Sequence, residues 1–137
     1  MNSTAEGEFP IQSENDIVMA RKIVREAATA LGFGLTDITR IVTAASELTR
    51  NIYVYAHSGV MRWRSLRNGS ACGLELTFQD SGPGICDIAK AMEPGFTTGR
   101  GMGMGLSGSK RLMDEMTIES QVGKGTTIVV NKWLKVR

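Results

Sequence analysis

The feature that most constrains the fold is an alternating segment that stops abruptly at a carboxylate and two glycines. From residue 74 to 79, apolar and polar side chains alternate, which is the pattern of a half-buried β-strand. The run Asp80-Ser81-Gly82-Pro83-Gly84 then ends the strand, because proline and glycine favour turns. An aspartate beside glycines can accept a hydrogen bond from an amine while a flat group approaches the backbone. The segment predicts the floor of a nucleotide pocket, although an ordinary surface turn explains the run by itself equally well.

Length and composition favour one globular domain over residues 1–137. Of the 137 residues, 42% are hydrophobic and 22% are charged, ordinary values for a chain that builds a real core. The net charge of +2 is too small to indicate a nucleic-acid or membrane partner. No stretch approaches the roughly 18 apolar residues of a membrane span, and the N-terminus lacks the apolar run of a signal peptide. We therefore expect a cytoplasmic protein with neither kind of partner.

The two cysteines, Cys72 and Cys86, lack the CxxC or Cys/His spacing of a metal site. We expect reduced thiols at both positions.

Two amphipathic helices are predicted before the strand. Ser13 is the predicted N-cap of the first helix, which runs to about Leu31 and stops at Gly32. Thr36 is the predicted N-cap of the second. The apolar residues of the second helix recur at spacings of three and four: Ile38, Ile41, Ala45, Leu48, Ile52 and Tyr55.

Glu47 and Asn51 are one turn apart on the second helix, on a face roughly 100° from its apolar stripe. They lie at the edge of the buried side, where a cleft can form. A glutamate and an asparagine at this spacing are more often solvated surface residues. The pair becomes a candidate site only in combination with the other motifs.

The remaining segments complete an α+β pattern. Strands that follow one another through hairpins imply a mixed, mostly antiparallel sheet with helices packed on one face, a two-layer sandwich. The predicted elements are an edge strand at 8–12, a hairpin of 59–67 and 72–79 that turns at Asn68-Gly69, short helices at 87–92 and 106–114, and strands at 116–121 and 126–134.

Five glycines between residues 93 and 105 predict a mobile loop that ends at a helix N-terminus near Leu106. Gly103-x-Gly105-x-x-Gly108 matches the dinucleotide-binding string, but no strand precedes it, and a Walker A loop and the protein-kinase signatures are absent. Backbone N–H groups and the helix dipole at such a terminus favour an anion. A flexible surface loop is the alternative. Together with a carboxylate, an asparagine and a glutamate, this loop completes the parts of an ATP site.

Four motifs in this order resemble those of the GHKL ATPases, the superfamily of gyrase, Hsp90, histidine kinases and MutL. Residues 46–51 resemble the N box, and residues 80–84 resemble the first glycine box. Residues 96–98 and 101–106 resemble the lid and second glycine box, and residues 123–126 resemble the closing Gly-x-Gly-Thr. The resemblance implies a GHKL-type (Bergerat) fold that binds ATP.

The resemblance also implies a division of labour within the site. Asn51 would coordinate Mg²⁺, and Glu47 would be the general base. The phosphates would be wrapped by backbone N–H groups next to the lid residue Thr98, at Gly101, Gly103, Gly105 and Leu106.

At the opposite end of the nucleotide, Asp80 would accept the adenine amino group. Gly82 and Gly84 belong to the same motif, and Gly84 would let the ring approach. Thr126 would support the adenine end beside Asp80, directly or through water.

Within the superfamily, the short chain resembles the anti-sigma-factor group of serine kinases, and in particular the switch kinases of the stressosome. That likeness implies phosphorylation of STAS-domain scaffold proteins, followed by binding and activation of a PP2C-type phosphatase. The lid between Phe96 and Gly101 is shorter than in relatives that bind a sigma factor, and no motif assigns a role to Arg100 or Lys110. Two alternatives stay open: a partner-switching or anti-sigma binding module whose ATP site is mainly conformational, and a fragment resembling a histidine-kinase ATP domain.

Overall fold

A computed structural model describes residues 6–85, 92 and 105–134 of the chain. Five strands and three helices lie in these ranges. The strands are β1 (Glu6–Ile11), β2 (Gly59–Asn68), β3 (Ala71–Asp80), β4 (Glu115–Gln121) and β5 (Gly125–Trp133). The helices are α1 (Asn15–Leu31), α2 (Leu35–Asn51) and α3 (Gly105–Leu112), and a π-helical turn, Ile52–Ala56, continues α2.

The strands form one antiparallel sheet in the order β1-β2-β3-β5-β4. The predicted α+β architecture is therefore confirmed. The first strand pairs only with β2 and contains Pro10, which is tolerated there because an edge strand leaves a row of backbone groups unpaired.

The core lies between the sheet and the helices. Helix α1 contacts β1, β2 and β3, and α2 contacts α1, α3 and β3. The central strand contributes every second side chain to this core, Leu74, Leu76 and Phe78, each at most 1% exposed, as its alternating sequence requires. The other face of β2 and β3 is polar. There Arg64 forms a 2.7 Å ion pair with Glu75.

Both predicted N-caps are wrong by one or two residues. Helix α1 begins after Glu14 rather than Ser13. In its first turn, the Asp16 carboxylate accepts hydrogen bonds from the N–H groups of Gln12 and Ser13 at 2.8 and 3.0 Å. Gly34 precedes α2 in an extended conformation, so that Thr36 lies inside the helix. The predicted stop at Gly32 is confirmed by its left-handed φ of 99°.

The first hairpin turns one residue later than predicted. Asn68 pairs with Ala71, which makes Gly69 and Ser70 the turn residues. Gly69 has a φ of 64°, the conformation that glycine adopts without a steric penalty.

Several predictions lie outside the described residues. They are the mobile loop, the fate of Cys86 and, apart from Met92, the helix at 87–92. Among the described residues, no helix is long and apolar enough to cross a membrane.

Candidate functional site

Asp80 is the last residue of the central strand and lies between two neighbouring strands. Its sheet partners are Gly59 of β2 and Thr126 of β5. The Oδ1 atom of Asp80 accepts a 2.9 Å hydrogen bond from the N–H of Gly82, the geometry of an Asx turn. Within the described ranges, Oδ2 has no hydrogen-bond partner. The carboxylate is thus oriented by its own turn and keeps one oxygen for a further donor.

The loop that follows Asp80 is tied to the β4–β5 hairpin. The N–H of Ile85 donates to Oγ of Ser120 at 2.7 Å, and Oγ of Ser120 lies 2.8 Å from Oγ1 of Thr126. The N–H of Gly123 donates to the carbonyl oxygen of Pro83 at 2.8 Å. These bonds place the Thr126 hydroxyl beside the Asp80 loop without requiring a ligand.

The two glycines of the loop each make a close approach to other parts of the protein. A β-carbon at Gly82 would lie 2.5 Å from Cβ of Ala56, in the π-helical turn. Gly84 has a φ of 81°, and its Cβ position points at the backbone of Gln121. A flat ligand over these glycines stays a prediction, and packing within the protein already requires both.

Glu47 and Asn51 lie in the last turn and a half of α2, and both side chains are half-buried. No hydrogen bond or ion pair joins either of them to another residue in the part of the chain that the structure describes. Leu48 and Ile52, the buried residues that follow each of them, anchor this end of the helix in the core. Both polar groups therefore belong to a rigid element and, among the described residues, keep their side-chain hydrogen-bonding capacity for another partner.

The end of α2 lies next to the strand that ends at Asp80. A β-carbon at Gly59 would be 2.8 Å from Cγ2 of Ile52 and 3.2 Å from Cβ of Asp80. Gly59, the sheet partner of Asp80, therefore lies against both Asp80 and the residue that follows Asn51. The π-helical turn that brings the chain there ends at His57, an exposed residue with a φ of 71°. Turns of this type recur at functional sites.

The second glycine motif is described only at its end. Gly105 is the first residue of α3, Leu106 is 7% exposed, and α3 packs against α2. Lys110 is exposed in the last turn of α3. Of the remaining predicted residues, Thr98, Gly101, Gly103 and Arg100 lie outside the described ranges.

Asn51 offers one protein oxygen that could ligate the Mg²⁺ of a bound nucleotide. Among the described residues, no group of three or more His, Cys, Asp or Glu side chains could hold a metal ion. Magnesium commonly takes one or two protein oxygens and completes its shell with phosphates and water. The half-buried Asn51 amide oxygen suits that arrangement.

Sequence reasoning missed two contributors to the site, Ser120 and Ala56. The sequence predicted strands at 116–121 and 126–134, with Gly125 in the turn that joins them. In the structure Gly125 joins β5 with a φ of 119°, and Gln121 pairs with Gly125. This shift puts Ser120 opposite Thr126. The left-handed glycine was a possible signal, but its effect depends on the hairpin geometry.

Comparison with known proteins places the chain in a family. Residues 36–136 match the model of the histidine kinase-, DNA gyrase B- and HSP90-like ATPases. The chain is 50% identical over 125 residues to the serine/threonine-protein kinase RsbT of Bacillus subtilis, covering 91% of this chain and 94% of that protein. It is 33% identical over 132 residues to the anti-sigma F factor of Thermoanaerobacter sp., with 92% and 90% covered.

Solved structures agree on the fold. The crystal structure of the RsbU and RsbW domains of Rv1364c from Mycobacterium tuberculosis superposes with a TM-score of 0.62 at 18% identity. The match covers 96% of this chain and 33% of that longer one. The catalytic domain of the histidine kinase ThkA gives 0.52 at 18% identity, with 92% and 95% covered.

Proposed function

This chain belongs to the histidine kinase-, DNA gyrase B- and HSP90-like ATPase family, and on that premise we propose how its ATP site works. The chain is a protein serine/threonine kinase, as its 50% identity to a kinase of that name indicates. In our proposal it is a single ATP-binding domain over residues 1–137 that acts in the cytoplasm and uses Mg-ATP.

One observation carries the proposal: Asp80 and Thr126 face each other at the end of the sheet, next to the helix end that bears Glu47 and Asn51. The Oδ2 atom of Asp80, which has no partner among the described residues, supports recognition of an amino group such as that of adenine. Thr126, held by Ser120, supports the same end of the nucleotide. Gly82 and Gly84 shape this loop, and Thr98, Gly101, Gly103, Gly105 and Leu106 form the phosphate end.

Glu47 takes the proton in the proposed reaction. The hydroxyl oxygen of a partner's serine or threonine forms a bond to the γ-phosphorus of ATP, and its proton passes to the Glu47 carboxylate. The bond from the γ-phosphorus to the β,γ-bridging oxygen breaks, and ADP leaves with that electron pair. Because phosphoryl transfer depends mainly on positioning and charge neutralisation, few protein groups suffice.

Asn51 would hold Mg²⁺ through its amide oxygen. The bound ion would supply positive charge to the phosphate oxygens. One helical turn separates Asn51 from Glu47, so both residues are positioned by the same rigid element.

The proposed substrates are STAS-domain proteins of a stressosome, and the second partner is a PP2C-type phosphatase. The similarity to proteins named a serine/threonine-protein kinase and an anti-sigma F factor supports a protein that exchanges one protein partner for another. In this scheme phosphorylation releases the kinase from its substrate, and the released kinase activates the phosphatase.

The test is phosphate transfer from γ-labelled ATP to a STAS-domain protein by the Glu47→Gln variant. The amide keeps the shape of the side chain but accepts no proton, so transfer should fall about 10²- to 10⁴-fold, while calorimetry should find ATP affinity retained. Glu26→Gln, at an exposed position of α1, is the control and should transfer at the wild-type rate. Undiminished transfer by Glu47→Gln would exclude Glu47 as the base.

The second candidate function is an anti-sigma or partner-switching binding module whose nucleotide acts mainly through conformation. It is favoured by the 33% identity to an anti-sigma F factor over nearly the whole chain. The same variant distinguishes the two functions. A binding module would switch partners on ATP binding with Glu47→Gln as well as with the wild type, whereas the kinase would not release its substrate.

A further inference from the structure

Lys132 places a buried ammonium group where two helices and a strand meet. It lies on the helix-facing side of β5 and is 4% exposed. Its Nζ donates a 2.7 Å hydrogen bond to the carbonyl oxygen of Leu112, the last residue of α3. The same Nζ lies 3.8 Å from Oδ1 of Asp37 in the first turn of α2, and 3.6 Å from Oδ1 of Asp114 just beyond α3. One side chain thus connects the beginning of α2 with the end of α3.

A lysine in this position is costly unless its charge and its three N–H donors find partners. Here the Leu112 carbonyl accepts a hydrogen bond, and the Asp37 and Asp114 carboxylates balance the charge at ion-pair distances. Both helix ends also gain, because a cation is favourable at the C-terminus of α3 and the Asp37 carboxylate is favourable at the N-terminus of α2. Since loss of either carboxylate leaves the buried ammonium with less compensating charge, the cluster favours one relative placement of the two helices.

We propose that Lys132 is a positioning residue for the phosphate end of the nucleotide site. This inference rests on the proposed function. Helix α2 carries Glu47 and Asn51, and α3 begins at Gly105, where the proposed phosphate-binding segment ends. With eight residues, α3 is about 12 Å long. A helix this short moves as one piece, and a shift at its Lys132 end also displaces Gly105 relative to Glu47.

The adenine end of the site is held by different contacts. Thr126, on the same strand as Lys132, is six residues away and roughly 20 Å distant along β5. The Asp80 loop is fixed there by Ser120 and by the backbone bond between Gly123 and Pro83. Loss of the Lys132 contacts therefore loosens the phosphate end selectively and leaves adenine recognition intact.

Lys132→Met tests this division, because methionine approximates the volume of the lysine stem and removes its charge and donors. We expect kcat for phosphate transfer to fall about 10- to 100-fold through misplacement of the reacting groups, with the affinity for adenosine and ADP nearly unchanged. Without any nucleotide, the variant should exchange hydrogen faster than the wild type at the amides of α3, with little change at the amides of β3.

Arg40→Met is the matched control. Arg40 is an exposed cation that also pairs with Asp37, at 3.3 Å. Within the described residues it forms no ion pair or side-chain hydrogen bond with α3 or β5. Its removal should leave kcat and exchange in α3 unchanged. Asp37→Asn is a milder second variant if Lys132→Met folds poorly. It weakens one contact of the buried ammonium. Its kcat should fall, and exchange in α3 should become faster, by smaller factors than in Lys132→Met.

Several results would overturn the proposal: adenosine affinity that falls as far as kcat, faster exchange throughout the sheet and helices alike, or an equal loss in Arg40→Met. Each would indicate a general stabilising role for Lys132. Wild-type protein that binds no Mg-ATP would instead contradict the proposed function. The exchange measurement needs no nucleotide, so it would still show whether Lys132 holds α3.

Discussion

At the scale of single residues, the absence of one methyl group at Gly82 brings the Asp80 loop close to the end of the α2 segment. The loop and the π-helical turn touch where Gly82 faces Ala56, and the N–H of Gly82 orients the Asp80 carboxylate. Gly82 therefore allows the loop to pack against the π-helical turn, and it also orients Asp80, the proposed acceptor of the adenine amino group. A small residue on each side of this contact is what allows the approach.

Gly82→Ala should destabilise the fold by about 1–3 kcal/mol, because the added methyl group overlaps Ala56. Urea unfolding measures this loss. Ala56→Gly makes space on the other side, at its own backbone cost of about 0.5–1 kcal/mol. If the steric account is correct, the double variant is less destabilised than the sum of the two single variants. Strict additivity would argue against it.

At the scale of secondary-structure elements, the β4–β5 pair is held by side chains as well as by backbone hydrogen bonds at the end away from its turn. Glu115, the first residue of β4, accepts hydrogen bonds from Nδ2 of Asn131 at 2.8 Å and from Nε1 of Trp133 at 3.1 Å, both on β5. The bond from Asn131, and after it the bond from Trp133, lowers the pKa of the Glu115 carboxyl below its ordinary value. These two hydrogen bonds to Glu115, which we call the clamp, are therefore weakened by acid.

The sign of this pH dependence follows from linkage. Because the pKa is lower in the folded protein than in the unfolded chain, the clamp contributes fully above the unfolded-state pKa and is lost as the pH falls through the folded-state value. Side-chain carbonyl NMR should show Glu115 titrating below the ordinary pKa of a glutamate, with Trp133 Nε1–H shifting in parallel. In a Trp133→Phe variant the Glu115 midpoint should rise. A midpoint unmoved by this change would exclude the tryptophan bond as a cause.

At the scale of the whole molecule, the proposed site joins parts of the chain that are far apart in sequence. Asp80 and Thr126 come from β3 and β5, while Glu47 and Asn51 come from α2. Since a ligand that binds only the folded state stabilises it by mass action, the nucleotide should stabilise the entire fold.

Mg-ATP at a free concentration of about 100 times its Kd should add about 2.7 kcal/mol to the free energy of unfolding. Thermal unfolding followed by circular dichroism measures the effect.

Asp80→Asn should lose about 1–3 kcal/mol of ATP binding, because a buried polar partner is mispaired. Chelation of Mg²⁺ with EDTA should reduce the wild-type shift. An Asp80→Asn shift equal to that of wild type would refute the adenine assignment.

Local patterns predicted most of the elements and the order of the candidate motifs. Helix stripes and the alternation in β3 depend on which side chains face the core, and this is encoded residue by residue. Helix starts were less accurate, because several residues near each start could serve as the N-cap, and the structure places the N-caps at Glu14 and Gly34. The roles of Glu47, Asn51 and the glycine motifs remain predictions that the experiments above address.

The sequence by itself determined that the chain forms an antiparallel sheet with amphipathic helices on one face, and that a carboxylate, an asparagine and a glycine-rich segment are available for a nucleotide. Only the tertiary structure decided that β5 separates β3 from β4, that Ser120 faces Thr126, and that Lys132 joins α2 to α3. The physical reason is the separation in sequence of the residues that interact. Periodicity and turn chemistry act over a few residues, whereas strand order, register and buried ion pairs depend on groups that meet only when the whole core closes.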